Sequence, residues 1–307
     1  MRVVIALGGN ALQRRHEPAN AAHRQHNLKR ASQAVAVLAR THEVVLTHGN
    51  GPQIGAVALQ ATSAGKPEPL DMLVAESEGM IGYLLEQSLA AELPGREIVA
   101  LLTQVEIDPA DPAFARPTKP IGPLYGEGEA RRLAAERNWS IMADGASFRR
   151  AVPSPEPRRI LELTAIRILL EAGAIVICGG GGGIPVALSA DGVVRGIEAV
   201  VDKDLSAALL AEKLAADALL LLTDIAAVAT RWGAPDARLI AEASPEQLRN
   251  FDFPAGSMGP KIEAACRFVA RTGGYAGIGA IEATADILAR KAGTIIRSGQ
   301  EPIRYHA

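Results

Sequence analysis

The sequence has few cysteines, little net charge and no long hydrophobic run, and each shortage excludes a class of protein. Its 307 residues carry a net charge of −2, which leaves no basic footprint for nucleic acid. Only Cys178 and Cys266 are present, each in an apolar run, so we expect free thiols in a reducing compartment. No apolar run reaches the ~18 residues of a transmembrane helix, and the five apolar residues before Gly8 are too few for a secretory signal. We therefore expect a cytoplasmic protein that binds neither nucleic acid nor membrane.

Histidine and lysine are also scarce. The six histidines form no metal-binding or triad pattern, and His48, which lies in a glycine turn, is expected to have a structural hydrogen-bonding role. Of the 32 basic residues only seven are lysine, so arginine supplies most of the solvated charge. Lys119 lies in a proline-rich stretch, Lys203 lies between two aspartates, and Lys261 follows Pro260. A lysine is a compact point charge that suits a transferring phosphoryl group, so these three lysines are the candidate catalytic cations.

Apolar runs of strand length alternate with helical patterns along the chain. Continuous apolar strands of this kind predict a parallel or mostly parallel sheet covered by helices on both faces. In such sheets, ligands bind beyond the carboxyl ends of the strands. The predicted strands are Val3–Leu7, Glu43–Leu46, Ile98–Leu102, Ala174–Ile177 and Ala218–Leu222, and the predicted helices are Arg24–Ala39, Ser77–Ala91, Pro157–Glu171, Leu205–Ala215 and Lys261–Thr272.

Two of these strands lead into turns made of glycine and asparagine. Gly8-Gly9-Asn10 follows the first strand, and Gly49-Asn50-Gly51 follows the second after two residues. Glycine allows the backbone to approach a ligand closely. The two turns therefore indicate a small anionic substrate held by backbone amides, with the positive charge supplied from elsewhere in the chain.

A third glycine turn, Gly179 to Gly183, follows the strand that ends near Cys178. Successive glycines expose their N–H groups, which suits phosphate oxygens. A dinucleotide-binding loop would need a helix directly after the glycines, and Pro185 interrupts one. The Walker A pattern is absent because no Gly-Lys-Ser/Thr follows. A flexible surface loop is the structural alternative.

The segment 108–157 breaks the alternation of strands and helices. It is rich in proline and too long for a connection between core elements. We expect either an excursion with its own structure or a lid, inserted within a single domain of residues 1–307. Arg149-Arg150 near its end indicates contact with anions, which makes Arg150 a candidate phosphate-binding residue.

Acidic residues accompany the candidate lysines. Asp202 and Asp204 flank Lys203 before a long apolar helix, so one is expected to be the N-cap and the other to hold a lysine or bind magnesium. Thr223-Asp224 ends another strand, where it caps the next element or lines a nucleotide pocket. A second acidic segment, Glu76-Ser77-Glu78, is interpreted as a charged helix start.

These motifs run in the order found in the amino acid kinase family, and the chain closely resembles its carbamate kinases over nearly the whole length. Other members, such as acetylglutamate kinase, typically carry a lysine near the first glycine turn, and Gly8-Gly9-Asn10 has none. The matching stretches are Gly8–Leu12, Thr47–Gly55, Pro117–Pro123, Arg150–Pro155, Gly180–Val186, Val201–Asp204, Gly256–Ala264 and Ala280–Thr294.

The resemblance implies a three-layer αβα sandwich with an open, mainly parallel eight-stranded sheet, a small protruding subdomain at 108–157, and a homodimer. It implies the reversible reaction ATP + carbamate ⇌ ADP + carbamoyl phosphate, with Mg2+ carried by the nucleotide, in arginine or carbamoyl phosphate metabolism. The first two glycine turns would surround carbamate and the transferring phosphoryl group. Lys203 and Lys261 would neutralise the phosphoryl oxygens, Asp204 would orient those lysines, and Lys119 would reach over the site. The candidate nucleotide-binding residues are Gly180, Gly181, Gly182, Thr223, Asp224, Met258 and Gly259.

Two other functions stay open at the level of the sequence. One is a kinase of the same fold that acts on another small carboxylate or phosphonate, for which two tight glycine–asparagine turns leave little room. The other is a non-catalytic nucleotide-binding sensor, which the loss of Lys203, Asp204 or Lys261 would have favoured. All three residues are present. Carbamate is already an anion and needs no general base, which agrees with the lack of a catalytic histidine pattern.

Overall fold

A computed structural model describes residues 1–9, 21–51, 53–55, 57–58, 68–254 and 256–306. Its strands are β1 (Arg2–Leu7), β2 (Glu43–His48), β3 (Ile98–Leu101), β4 (Gln104–Glu106), β5 (Lys119–Tyr125), β6 (Ser140–Asp144), β7 (Ser147–Val152), β8 (Arg159–Ile160), β9 (Ile175–Cys178), β10 (Ile184–Leu188), β11 (Val194–Gly196), β12 (Ala218–Thr223), β13 (Ile240–Ala243), β14 (Tyr275–Ala280), β15 (Thr294–Ile296) and β16 (Arg304–Tyr305). Its helices are α1 (Ala21–Ala39), α2 (Leu70–Glu92), α3 (Glu127–Arg137), α4 (Leu163–Glu171), α5 (Lys203–Lys213), α6 (Pro245–Leu248), α7 (Met258–Thr272) and α8 (Thr284–Leu288). None of the helices in these described ranges is long and apolar enough to span a membrane.

The main sheet is largely parallel, as predicted. Its strand order is β16-β13-β15-β14-β12-β1-β2-β9-β3. In β1, Val4 lies opposite Leu219 of β12 and Val45 of β2, and both pairings are parallel. Only the contacts of β15 with β14 and of β16 with β13 are antiparallel within the described part of this sheet. The carboxyl ends of β12, β1, β2 and β9 therefore lie along one edge, where the glycine turns begin.

The two faces of the sheet are both covered by helices, which confirms the αβα arrangement. Successive side chains of a strand point to opposite faces, and β1 shows the consequence. Val3, Ile5 and Leu7 belong to one apolar cluster with residues of α1 and α2. Val4 and Ala6 belong to another with residues of α5 and α7. All five side chains are fully buried, which explains why the strand reads as a continuous apolar run.

The sheet has nine strands in the described ranges, one more than the eight expected. At one edge of this sheet, the two-residue strand β16 pairs antiparallel with β13. Arg304 of this strand forms an ion pair with Glu242. Two residues are too few to show a period of two in the sequence, so no strand was predicted there.

The segment 108–157 contains a small sheet separate from the main one. Its strand order is β5-β7-β6, and all its pairings are antiparallel. Helix α3 packs on it through an apolar cluster of its own, in which Tyr125, Ala130 and Leu133 are buried. This small sheet presents Lys119 on β5 and Arg150 on β7.

Helix α2 begins at Leu70, which corrects the interpretation of Glu76-Ser77-Glu78 as a helix start. The helix starts after Pro69, and its buried positions Leu70, Leu73 and Val74 precede the acidic segment. Ser77 and Glu78 therefore lie inside the helix, and both are buried. The capping interpretation was wrong because it relied on local residue types and missed the apolar positions upstream.

Candidate active site

The first two glycine turns lie side by side at the carboxyl ends of β1 and β2. Gly8 donates its N–H to the Leu222 carbonyl at 2.8 Å, and Gly49 donates to the Leu7 carbonyl at 2.9 Å. A Cβ on Gly49 would lie 2.7 Å from the Gly9 nitrogen, so a larger residue would separate the two turns. Asn10, predicted to bind substrate, lies outside the described residues. Gly51 is half-buried at the start of a helical segment.

The third glycine turn is buried between the other parts of the site. The Gly180 N–H donates to Glu78 Oε1 at 2.8 Å, and the Gly182 N–H donates to the Gly179 carbonyl at 3.1 Å. The expectation that this run offers successive free N–H groups to phosphate is therefore wrong for Gly180 and Gly182. The alternative of a flexible surface loop is also wrong, because Gly179–Gly183 is buried throughout.

This buried turn contacts Asn50, one of the predicted substrate-binding residues. Gly181 has a φ of +68°, and a Cβ there would overlap the Asn50 carboxamide. The same carboxamide donates from Nδ2 to Ser77 Oγ at 2.9 Å, and Ser77 Oγ donates to the Val74 carbonyl at 3.0 Å. Asn50 is thus fixed between helix α2 and the glycine turn.

Asp204 contacts both of the central lysines. Its Oδ1 accepts from Lys203 Nζ, and its Oδ2 accepts from Lys261 Nζ at 2.8 Å. Lys203 and Asp204 are in the first turn of α5, and Lys261 is in the first turn of α7. All three side chains are largely buried. The two helix N-termini therefore bring two ammonium groups to one carboxylate.

Burial and charge act in opposite directions on these three groups. Burial lowers the pKa of Lys203 to about 8, although the Asp204 carboxylate opposes the shift. Burial alone would raise the pKa of Asp204, but Lys203 and Lys261 outweigh it and hold that pKa below its ordinary value. For Lys261, burial is outweighed by Asp204, and the pKa lies above its usual range. At neutral pH the carboxylate is ionised and both lysines are protonated.

Asp202 connects the third lysine to the same helix end. It is the N-cap of α5, and its Oδ1 accepts from the Asp204 N–H at 2.9 Å. Its Oδ2 accepts from Lys119 Nζ at 2.5 Å. Burial would raise the pKa of Asp202, but the Lys119 ammonium outweighs it and lowers that pKa. Lys119 is thereby held beside the lysine–aspartate cluster, at the boundary between the small sheet and α5.

Besides Gly180, Gly181 and Gly182 of the third glycine turn, four predicted nucleotide-binding residues lie at the end of β12 and the start of α7. Thr223 Oγ1 donates to Asp224 Oδ1 at 3.0 Å, and the Asp224 charge raises the pKa of Lys261. Met258 is the first residue of α7, and Gly259 donates its N–H to the Pro254 carbonyl at 2.9 Å. Met258 and Gly259 therefore lie within the same helix start as Lys261, and Asp224 is close enough to act on its charge.

Arg150 contacts Glu198 and Trp139 instead of the lysine–aspartate cluster. Its guanidinium lies 3.6 Å from Glu198 Oε1 and 4.9 Å from the centre of the Trp139 ring. Burial lowers the pKa of Arg150, while Glu198 opposes the shift. The structure uses this arginine to attach the small sheet to Glu198, whose other oxygen accepts from the Leu70 N–H at 2.8 Å. Its predicted role in binding phosphate stays a prediction.

Glu78 and Ser77 are the site residues that sequence reasoning missed. Both contact predicted site residues, although neither was a candidate. Glu78 is 102 positions from Gly180 along the chain, so no local pattern joins them. The available indication was a glutamate in line with the apolar positions Val74, Ile81 and Leu85 at helical spacing.

Comparison with known proteins agrees with this geometry. Residues 1–278 match the family model described as the amino acid kinase family. A carbamate kinase of Rhizobium meliloti is 51% identical, with 100% of this chain and 96% of that protein aligned. A carbamate kinase of Haemophilus influenzae is 50% identical, with 100% of both aligned. The solved structure of carbamate kinase from Giardia lamblia bound to AMP-PNP has a TM-score of 0.86 at 37% identity, covering 96% of this chain and 98% of that one. The chain belongs to the amino acid kinase family and, within it, to the carbamate kinases.

Proposed function

We propose that the protein catalyses reversible phosphoryl transfer between ATP and carbamate, giving ADP and carbamoyl phosphate. The observation that carries this proposal is the contact of Asp204 with both Lys203 and Lys261 at the edge of the sheet that holds the glycine turns. The third glycine turn contacts the helix that carries Lys203 and Asp204, because Ser206 of α5 donates to the Gly182 carbonyl at 2.7 Å. Positive charge and tight backbone turns thus share one small region.

The proposed chemistry needs positioning and charge neutralisation rather than covalent catalysis. A carbamate oxygen attacks the γ-phosphorus of ATP while the bond to the ADP oxygen breaks, in line. Lys203 and Lys261 would stabilise the charge on the transferring phosphoryl oxygens, with Asp204 holding both ammonium groups in place. Gly8, Gly9, Gly49 and Asn50 would surround the carbamate. Lys119, held by Asp202, would close the site from the small sheet.

The nucleotide would lie on the side formed by Thr223, Asp224, Met258 and Gly259. Helix α7 begins there, and a helix N-terminus with a lysine in its first turn favours a phosphate. The relative from Giardia lamblia was solved with AMP-PNP, an ATP analogue. These features support the proposed ATP and ADP site, with residues 108–157 as a subdomain that reaches over it.

Magnesium would arrive on the nucleotide phosphates. The described part of the chain holds no group of three or more His, Cys, Asp or Glu residues that could hold a metal ion. Asp202 and Asp204 are both paired with lysines. Such a site offers no protein cage, but it fits Mg2+, which keeps several waters and is commonly held through substrate phosphates. When bound, the ion would neutralise charge on the β- and γ-phosphate oxygens.

We further propose a homodimer that acts in the cytoplasm. Three large apolar side chains of α2 and the end of β3 are exposed: Met80 by 38%, Tyr83 by 56% and Leu102 by 51%. They lie at an open edge of the main sheet, where a second copy would cover them.

The two free cysteines, both buried, agree with a reducing compartment. There the reaction would serve arginine and carbamoyl phosphate metabolism. Light scattering coupled to gel filtration tests the dimer, and a monomer at micromolar concentration would contradict it.

A coupled assay tests the proposed reaction. The protein is mixed with ADP, Mg2+ and carbamoyl phosphate, and ATP is detected through hexokinase and glucose-6-phosphate dehydrogenase. We expect ATP formation that depends on both substrates. Absence of ATP, with ADP binding intact by calorimetry, would overturn the proposal and indicate a nucleotide sensor. Faster ATP formation from acetyl phosphate would indicate a kinase of another small carboxylate.

A further inference from the structure

Helix α2 sends two adjacent side chains into the candidate active site. Ser77 accepts the Asn50 Nδ2–H at 2.9 Å, and Glu78 accepts the Gly180 N–H at 2.8 Å. Both side chains lie in the middle of the helix and are buried, so neither is a solvated surface residue. A buried carboxyl group is costly unless its hydrogen bonds compensate. The position of Glu78 therefore requires an explanation beyond helix formation.

Glu78 connects three parts of the chain through hydrogen bonds: helix α2, the third glycine turn and the segment after β3. Its Oε1 binds the glycine turn, and its Oε2 accepts the Thr103 N–H at 3.3 Å just after β3. The Thr103 Oγ1 in turn accepts from the Gly179 N–H at 2.9 Å. The glycine turn is thus attached at two consecutive amides to α2 and to the segment after β3.

The turn held by Glu78 has no room to move without displacing site residues. A Cβ on Gly180 would overlap the His48 ring, and one on Gly181 would overlap the Asn50 carboxamide. A Cβ on Gly182 would overlap the Val201 carbonyl, directly before Asp202 and Lys203. A shift of this turn would therefore reach Asn50 on one side and the lysine-bearing start of α5 on the other.

We propose that Glu78 is a positioning residue for the carbamate half of the site, acting through Gly180 and Gly181 on Asn50, with Ser77 holding the same carboxamide from the other side. The inference rests on the proposed function, because it gives Asn50 a role in binding carbamate. Glu78 touches no reacting group itself. Its effect is on the placement of the carbamoyl group, and the nucleotide side at Thr223 and Met258 is left unchanged.

The conservative replacement at this position is glutamine. Burial raises the pKa of Glu78 to about 8, although the Gly180 and Thr103 hydrogen bonds oppose the shift. The group is therefore an uncharged carboxylic acid at neutral pH. A carboxamide of the same shape keeps an oxygen for the Gly180 N–H and gives up only the longer contact with the Thr103 N–H, whereas leucine loses both. A cavity of about 230 Å³ beside Glu78 leaves space for the leucine side chain.

The test compares Glu78→Leu, Glu78→Gln and a matched control, Glu86→Leu. Glu86 lies two turns along the same helix, lines the same cavity and accepts the Ala100 N–H at 3.2 Å, away from the glycine turn. Steady-state kinetics with ADP and carbamoyl phosphate are combined with ADP binding by calorimetry. For Glu78→Leu we expect kcat/KM for carbamoyl phosphate to fall by roughly 10²-fold, with ADP affinity unchanged. Glu78→Gln and Glu86→Leu should stay close to the wild-type protein.

Several results would overturn the inference. Wild-type kinetics for Glu78→Leu, a loss of ADP affinity instead of carbamoyl phosphate turnover, or an equal loss for Glu86→Leu would each do so. If Glu78→Leu does not fold, Gly181→Ala tests the same path, since its Cβ displaces Asn50 directly; normal turnover by that variant would reject the role. An inactive wild-type protein would instead refute the proposed function.

Discussion

Among single residues, Asp204 is the carboxylate that contacts two of the three candidate lysines. It binds Lys203 and Lys261, while Asp202 binds Lys119, so three lysines face two aspartates. The cluster keeps one excess positive charge near neutral pH. An anionic phosphoryl group would find that charge already in place, in a buried environment where electrostatic interactions are strong.

The pKa of Lys203 leads to a prediction for Asp204→Asn. Burial lowers the Lys203 pKa to about 8, and Asp204 is the main group that raises it. Activity in the wild-type protein should therefore fall above about pH 8 as Lys203 loses its proton. Without the Asp204 carboxylate the Lys203 pKa drops further, and the decline moves to lower pH. Profiles of kcat/KM against pH measure the shift.

The exposed residue Asp191 supplies the control for that experiment. Asp191→Asn makes the same change in net charge on a surface turn and should leave the profile unchanged. If Asp204→Asn shows the wild-type decline at the same pH, the ionisation of Lys203 is not controlled by Asp204.

Among the helices, the start of α5 combines stability and function in one residue. Asp202 accepts from the N–H groups of Asp204 and Leu205 and also binds Lys119. Loss of an N-cap typically costs ~1 kcal/mol. The same loss here would release Lys119, whose backbone belongs to the small sheet, from the helix that carries Lys203.

We expect Asp202→Ala to lower both the free energy of unfolding, by about 1 kcal/mol, and the turnover of carbamoyl phosphate. Ser244→Ala is the matched control, because Ser244 caps α6 through the Gln247 N–H, outside the residues of the proposed site. That variant should lose similar stability and keep its activity. Urea unfolding and the coupled assay measure the two effects, and an active Asp202→Ala would show that Lys119 needs no anchor.

The features that the sequence predicts correctly lie within single elements and the residues next to them. The apolar run of β1 and the glycines that follow it are adjacent in the chain, so strand and turn were predicted together. The Asp202-Lys203-Asp204 motif likewise contains its own N-cap. Helix α2 was predicted to begin at Ser77 because polar residues there favoured a cap, and its buried contacts with Asn50 and Gly180 depend on distant segments.

For the molecule as a whole, fold class and family were predicted from motif order and are confirmed by the structure and its relatives. Alternating apolar strands and helices are sufficient to predict a covered parallel sheet. For residues 108–157 the sequence left two possibilities open, a lid or an excursion with its own structure. The small sheet depends on antiparallel strand pairings, and the proline-rich sequence of this segment gives no pattern that predicts them. The burial of the third glycine turn was also not predictable, because glycine has no side chain whose polarity would indicate whether the residue is buried or exposed.

The buried acid Glu78 makes the stability of the whole protein depend on pH. Its folded-state pKa of about 8 lies above the ordinary value of 4.5, so the folded state retains a proton that the unfolded chain releases. Stability is therefore lost as the pH rises from about 4.5 to 8. Glu78→Gln carries no titrating proton, and its stability relative to the wild-type protein should rise by about 3 kcal/mol between pH 5 and pH 8.

Urea unfolding of both proteins at these two pH values measures the difference. The titratable groups that line the cavity beside Glu78 are His48, Tyr83, Glu86 and Cys178, and Glu162 also acts on its pKa. Burial lowers the pKa of His48 to about 4, and its effect cancels because it is common to both proteins. Burial raises the pKa of Cys178 above its ordinary value, so that thiol stays neutral. An equal stability difference at both pH values would show that Glu78 is ionised in the folded protein.

The rate of ATP formation by Lys261→Ala tests whether the ammonium held by Asp204 stabilises the transferring phosphoryl group, as we propose. With ADP and carbamoyl phosphate as substrates, we predict a fall in kcat on the order of 10²–10³-fold, with an unchanged circular dichroism spectrum. Lys213→Ala, on the exposed end of α5, is the control and should remain active. Near-normal turnover by Lys261→Ala would contradict the assignment of this site.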